Sequence, residues 1–235
     1  MMKKQIFGLF LATFGTLTAL AQDNETPSVS PTANYLDKEQ QWQEVTSIDD
    51  GEAPLEVTFR ANPKNMEGHT PSYEWHFRKQ GEEKEFMVRY EEETVYRFAE
   101  SGTFDIVLKT TLTDTGEQLD STTIVVAISE SKLEFPNAFS PNGDNINDIY
   151  KAKEGYRSII EFHAYIFNRW GQKLYEWTDP AGGWDGKFKG NDVKDGVYYV
   201  LVKAKGADGR NYNIRKDVNL LRGYIETGNN TSTNP

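Results

Sequence analysis

The sequence predicts an all-β protein: two tandem immunoglobulin-like antiparallel β-sandwich domains after a signal peptide and a short linker. Three observations predict it. Aromatic and β-branched residues alternate with polar ones in run after run, the period of a strand with one buried face. Gly, Pro, Asn or Asp bounds each run, as turns require. Helix-favouring runs are scarce, while aromatic residues make up 13% of the 235 positions, enough to furnish packed cores.

Taken in order, the chain opens Met1-Met2-Lys3-Lys4, runs through an apolar stretch from Ile6 to Leu20, and reaches Ala19-Leu20-Ala21 before Gln22. A basic start, an apolar stretch and small residues two apart make residues 1–21 a secretory signal peptide. Thr13, Gly15, Thr16 and Thr18 dilute the stretch and no basic cluster follows it, so it reads as cleaved, with no transmembrane segment in the mature form. Residues 22–44 are polar, include Pro27 and Pro31, and read as a linker, disordered or loosely docked.

Strand patterns then follow over residues 45–129. Leu55, Val57, Phe59 and Ala61 alternate with polar residues, as do Tyr73, Trp75 and Phe77, then Phe86, Val88 and Tyr90. Val95 to Phe98, then Phe104, Ile106 and Leu108, and Ile124, Val126 and Ile128 complete the set. Pro54-Leu55, Tyr73-Glu74-Trp75-His76-Phe77, Phe98 and Gly102-Thr103-Phe104-Asp105-Ile106-Val107-Leu108 resemble a polycystic-kidney-disease (PKD) repeat. That resemblance implies a sandwich with Trp75 in its core. The Gly-Asp-Gly turn of the family is replaced here by Lys79-Gln80-Gly81-Glu82-Glu83-Lys84.

Residues 133–223 form the second unit. Phe135-Pro136-Asn137-Ala138-Phe139-Ser140-Pro141-Asn142-Gly143-Asp144-Asn145-Ile146-Asn147-Asp148 opens it. Ile166-Phe167-Asn168-Arg169-Trp170-Gly171-Gln172-Lys173-Leu174-Tyr175, Gly183-Trp184-Asp185-Gly186, Asp195-Gly196-Val197-Tyr198-Tyr199 and Leu220-Leu221-Arg222 follow. Read physically, Asn168 to Gly171 is a hairpin turn, and Gly183 to Gly186 is a tight turn with Trp184 folded back onto apolar surface. Val197 to Ala204 is apolar enough for a central strand covered on both faces, and Asp208-Gly209 makes a two-residue hairpin after it. In this order and spacing the five blocks resemble the gliding-motility-associated C-terminal domain, the type B sorting signal of the type IX secretion system. Residues 224–235, rich in Gly, Asn, Thr and Pro, read as a flexible tail.

The loop from Pro141 to Asp148 sets Asn142, Asp144, Asn147 and Asp148 around Gly143, an oxygen-rich set that a hard cation such as calcium favours. The rival reading is an Asx-rich turn satisfied by its own backbone, since the spacing departs from the helix-flanked calcium loop. No other cofactor is expected. His69, His76 and His163 lack metal-ligand spacing to one another, and no nucleophile elbow, phosphate loop or dinucleotide fingerprint appears, so no enzyme is expected. The absence of cysteine removes disulfides, thiolate sites and lipoprotein anchoring. A net charge of −10 disfavours nucleic acid as a partner.

The resemblance implies export through the periplasm by the type IX secretion machinery, which is then a partner. The destination is the medium or the outer-membrane surface of a Gram-negative bacterium. The PKD-like unit would serve as an adhesion or spacer module for a surface glycan or protein ligand. The alternatives are a structural or accessory subunit of an outer-membrane secretion or gliding machine, and a carbohydrate-binding module using Trp177, Trp184, Tyr198 and Tyr199.

Overall fold

The computed structural model describes residues 26–223; the signal-peptide segment 1–21 and the tail 224–235 lie outside the described residues. The first unit contains β1 (Ser28–Val29), β2 (Thr32–Leu36), β3 (Trp42–Val45), β4 (Ser47–Gly51), β5 (Leu55–Arg60) and β6 (Pro63–Lys64). It continues with β7 (Pro71–Lys79), β8 (Met87–Arg89), β9 (Glu93–Phe98), β10 (Gly102–Leu112) and β11 (Thr122–Ile128). Two sheets face each other, a five-stranded one in the order β4-β11-β10-β7-β8 and a four-stranded one in the order β3-β2-β5-β9.

Alternation decides which side chains meet between them. Leu55, Val57 and Phe59 of β5 point inward while Glu56 and Arg60 point out. Tyr73, Trp75 and Phe77 answer from β7, with Ile106 and Leu108 from β10 and Ile124 and Val126 from β11. Trp75 is fully buried and sits in this core as the resemblance implies; its indole N–H donates to the Glu91 carbonyl at 2.9 Å, so its one polar group is not stranded. Phe59 lies at the centre, its ring 6.0 Å from Trp75 and 5.5 Å from Phe77. Each such side chain contributes about 1.5–3 kcal/mol by burial.

The described part of the linker segment, residues 26–44, is not free. Within it, β2 pairs with β5 in the register Ala33 to Phe59, and Ala33 is fully buried. The reason it escapes composition is that Thr32 and Asn34 hold polar positions on the other face. Asn34 donates its amide to Thr32 at 3.1 Å, and Asn62 donates to the same hydroxyl at 2.9 Å.

The second unit contains β12 (Ala138–Phe139), β13 (Tyr150–Lys151), β14 (Ile159–Phe167), β15 (Lys173–Trp177) and β16 (Gly183–Trp184). It ends with β17 (Lys187–Phe188), β18 (Asn191–Asp192), β19 (Gly196–Gly206) and β20 (Asn211–Leu220). One five-stranded sheet, β12-β20-β19-β14-β15, carries it. The facing layer is not a second full sheet but two ribbons of two-residue strands, β13-β16 and β17-β18, with the loops between them. Both five-stranded sheets end in a parallel pair rather than an antiparallel one, β4 on β11 and β12 on β20. In each case an early strand of the unit lies beside its last strand, which closes the chain on itself.

The units meet at the turn after β19. Gly206 N–H donates to the Arg210 carbonyl at 2.8 Å, leaving Ala207, Asp208 and Gly209 as the loop, with Gly209 at φ +79°. This is a three-residue hairpin with its glycine in the left-handed position, not the two-residue one expected. Ala207 belongs to the core cluster of the first unit, and its carbonyl accepts the Ser101 N–H at 3.0 Å. Ser158 supports the joint from the other side, its carbonyl accepting the Ala207 N–H at 2.9 Å and its hydroxyl accepting the Ala53 N–H at 3.3 Å. Gly206 has no alternative here, because a Cβ would lie 2.0 Å from the Ser131 hydroxyl oxygen.

Candidate functional site

Each block singled out in the second half has a defined structural duty. Phe135 and Phe139 of the opening stretch and Tyr150 just after it are buried, the Tyr150 ring 5.7 Å from Phe135 and 5.6 Å from Phe139. Trp184 is fully buried, 5.4 Å from Phe139 and 5.1 Å from Tyr198, with its indole N–H donating to the Lys187 carbonyl at 2.8 Å. The expected fold-back of this tryptophan is what the structure shows. Gly186 follows it at φ +77°, where a Cβ would meet Pro141 and the Arg222 guanidinium at 2.9 Å. Arg222 then ties the end of the last strand to this layer. Its guanidinium donates to the carbonyls of Gly186 and Val193 and lies beside Asp192 and Asp195.

The loop from Pro141 to Asp148 is organised by its own carboxylates. Asp148 Oδ1 accepts the N–H groups of Asn142 at 2.8 Å and Gly143 at 2.7 Å, while Oδ2 accepts Asn145 N–H at 2.8 Å. Asp144 accepts Ile146 N–H at 2.8 Å, and Asn142 accepts Asp144 N–H at 3.0 Å. Hydrogen bonds from the Gly143 backbone, then from Asn145 and Asn142, hold the Asp148 carboxyl below the usual aspartate value. These carboxylate oxygens thus face backbone amides, and the Asn147 carbonyl accepts Ser140 N–H at 2.9 Å. As it stands, this donor set forms an Asx-rich turn.

The aromatic row weighed for sugar binding does not form. Trp177, Trp184 and Tyr198 are buried in the second core, and of the four only Tyr199 faces out. The burial of Tyr150 pushes its phenol above the ordinary range, consistent with a side chain used for packing.

What the sequence did not reveal is the outward face of the five-stranded sheet. β19 is central, yet among the described residues only its inner side is covered: Tyr198, Val200 and Val202 are buried, whereas Val197 and Tyr199 are 47% and 48% exposed. The near-continuous apolar run therefore does not mark a strand covered on both faces by the described residues. The same holds on β14, where His163, Tyr165 and Phe167 alternate with buried Ala164 and Ile166. His163 stacks on Tyr165 at 4.3 Å, and Tyr165 lies 6.2 Å from Phe167. Cross-strand pairing sets Phe167 beside Tyr199 and Tyr165 beside Leu201, with Asp217 and Arg215 next on β20. Toward Gly206 the face becomes polar and forms a shallow cavity of about 490 Å³, lined by His163, Lys203, Lys205, Asn211 and Asn213.

At the opposite end from the joint, the hairpin between β14 and β15 adds to this face. Asn168 Oδ1 accepts the N–H groups of Trp170 and Gln172 at 3.0 Å, and Gly171 takes φ +79°. Those two residues make the turn. Arg169 and Trp170 are not needed for it: the guanidinium lies 4.5 Å over the indole, and Trp170 is 76% exposed.

A sandwich whose chemistry lies in turns and an open sheet face, rather than in a cleft, belongs to the class of domains recognised through their surfaces. Residues 133–217 match the CHU_C type IX secretion signal domain, so the second sandwich is a domain of that family. No curated protein matches the chain. Among solved structures, the chain is similar to the FN1–FN3 domains of chicken CNTN1, at 10% identity over 76% of this chain and 68% of that one, with TM-score 0.31. It is also similar to SGBP-B of the Bacteroides ovatus mixed-linkage glucan utilization locus in complex with a mixed-linkage heptasaccharide, at 14% identity over 84% of this chain and 48% of that one, with TM-score 0.29. A third likeness is to dimeric latent PorU from Porphyromonas gingivalis, at 12% identity over 89% of this chain and 21% of that one, with TM-score 0.25.

Proposed function

We infer that this is a non-enzymatic protein carried across the outer membrane by its second sandwich, with the PKD-like sandwich delivered as an adhesion or spacer module. The observation that carries the reading is the type IX secretion signal domain over residues 133–217. The placement of the titratable groups supports a role without catalysis. His76 bridges Glu85 at 2.8 Å and Glu74 at 3.1 Å on an exposed sheet face, and His69 pairs with Asp114 at 2.9 Å in a loop. The joint supports a spacer role, because Ala207 seated in the first core limits hinge motion between the sandwiches.

Deleting Leu133 to Pro235 and fractionating the cells tests the reading. The truncated chain is expected to stay in the periplasm while the full chain is cut by protease added to intact cells. Surface delivery of the truncated chain at the level of the full one would refute it.

A further inference from the structure

We propose that the outward face of the β14-β19-β20 sheet, together with the Arg169–Trp170 hairpin tip, is where a protein of the export machinery docks through an apolar surface bearing carboxylates. This rests on the export reading above and names the surface that carries it.

Four observations lead there. The inner face of the sheet already supplies a complete core, so packing within this chain does not require apolar residues on the outer face. Tyr165, Phe167, Val197, Tyr199 and Leu201 nevertheless form a contiguous outer patch across two neighbouring strands, in the register given by their pairing. Val197 and Tyr199 of this patch are exposed and Tyr165, Phe167 and Leu201 half-buried, and contiguous apolar surface left open in this way marks a contact site. Second, the turn accounts for Asn168 and Gly171 but leaves Trp170 exposed, held in place by Arg169. Trp, Tyr and Arg are the side chains that dominate binding energy at protein interfaces.

Third, the face is cationic on an acidic protein. Arg169, Lys173, Lys203, Lys205 and Arg215 lie on it or at its tip, against Glu161, Glu176 and Asp217, whereas the whole chain carries −10. Lys173 is bridged to Glu176 and Lys205 lies near Glu161, while neither Lys203 nor Arg215 has an ion-pair partner among the described residues. Those two cations are the groups a carboxylate-bearing partner would neutralise. Fourth, the tip lies at the end of the sheet away from the joint: Phe167 pairs with Tyr199, whereas Ile159 pairs with Gly206. Among the described residues, the first sandwich thus leaves the face open. A second copy is the poorer occupant, because a symmetric pairing would set the unpaired Lys203 and Arg215 of one face against those of the other.

The test uses the full chain in a bacterium with an active type IX system, with surface delivery read by protease treatment of intact cells. Two double variants address the two halves of the face: W170S with Y199S, and K203E with R215E. Each is expected to lower the surface-delivered fraction about tenfold or more, the loss that follows from removing interface anchors. The melting temperature of the purified variants is expected to stay near that of the parent, since these positions are exposed. Tyr90→Ser, an exposed aromatic of the first sandwich, is expected to change neither reading. If a double variant melts early, the single W170Q at the exposed tip decides. Normal delivery of the face variants, alongside a block by deletion of Leu133 to Pro235, overturns the docking face and spares the export reading. Normal delivery of the deletion overturns the export reading instead. Dimerisation of the purified parent, or its sedimentation with vesicles of anionic phospholipid, abolished by these substitutions, would assign the face to a second copy or a membrane and overturn the proposal.

Discussion

In the first sandwich two full sheets clamp a core between hydrogen-bonded ladders, while in the second a single five-stranded sheet faces loops and two-residue ribbons. A ladder fixes its own geometry through backbone hydrogen bonds, so the first unit needs little beyond correct alternation. Loops have no such ladder. The second unit therefore fixes its facing layer with side chains: Trp184 and Phe139 fill it, Asp148 gathers backbone amides, and Arg222 ties it to the last strand. This explains why the second half reads as a string of Gly-, Asn- and Asp-rich blocks while the first reads mainly as alternation.

Substitutions can break or sharpen that contrast. The largest effect is expected from Trp184→Ala, which removes the ring that joins Phe139 and Tyr198 and strands the Lys187 carbonyl; about 3–5 kcal/mol should be lost in urea unfolding. A loss below about 1 kcal/mol would show that the loop layer does not depend on this ring. Gly186→Ala comes next, at about 1–3 kcal/mol, because it puts a Cβ at a left-handed φ against Pro141 and Arg222. The matching change in the first unit, Gly81→Ala, also meets a positive φ but open space, and should cost less.

Asp148→Asn is expected to have a smaller effect on stability at neutral pH and a distinct one on its pH dependence. The folded carboxyl titrates below its unfolded value, so its contribution is fully present above an unfolded aspartate pKa of about 3.9 and is lost as pH falls through the folded value. Acid melts of the parent should therefore show a loss of stability below that point that the variant lacks in part. The smallest effect is expected from calcium: millimolar additions should leave the melting temperature of the protein unmoved, because the Asp148 and Asp144 oxygens already accept amides. A rise on calcium addition that disappears in Asp148→Asn would restore the cation reading.

Sequence periodicity located the main strands because one face of each is buried and the other wet, as in Leu55 to Arg60 and Pro71 to Lys79. It failed where that contrast is weak. β2 hides behind Thr32 and Asn34, and the early edge strands β4 and β12 pair in parallel with the last strand of their unit, a long-range partnership that no local pattern encodes. The open sheet face was misread for a related reason. A run such as Val197 to Ala204 records only that both sides are apolar, and not whether this chain or another molecule covers the second side. Turn chemistry located the Asn168–Gly171 hairpin, yet it could not separate the residues that build the turn from Arg169 and Trp170, which the turn only displays.

The seating of Ala207 among the first core's side chains ties the stabilities of the two sandwiches together. Unfolding the first sandwich would strip the β19–β20 hairpin of the apolar surroundings of its tip and of the Ser101 hydrogen bond to the Ala207 carbonyl. Heat or denaturant should therefore melt the pair with a shared cooperativity that neither half would show alone.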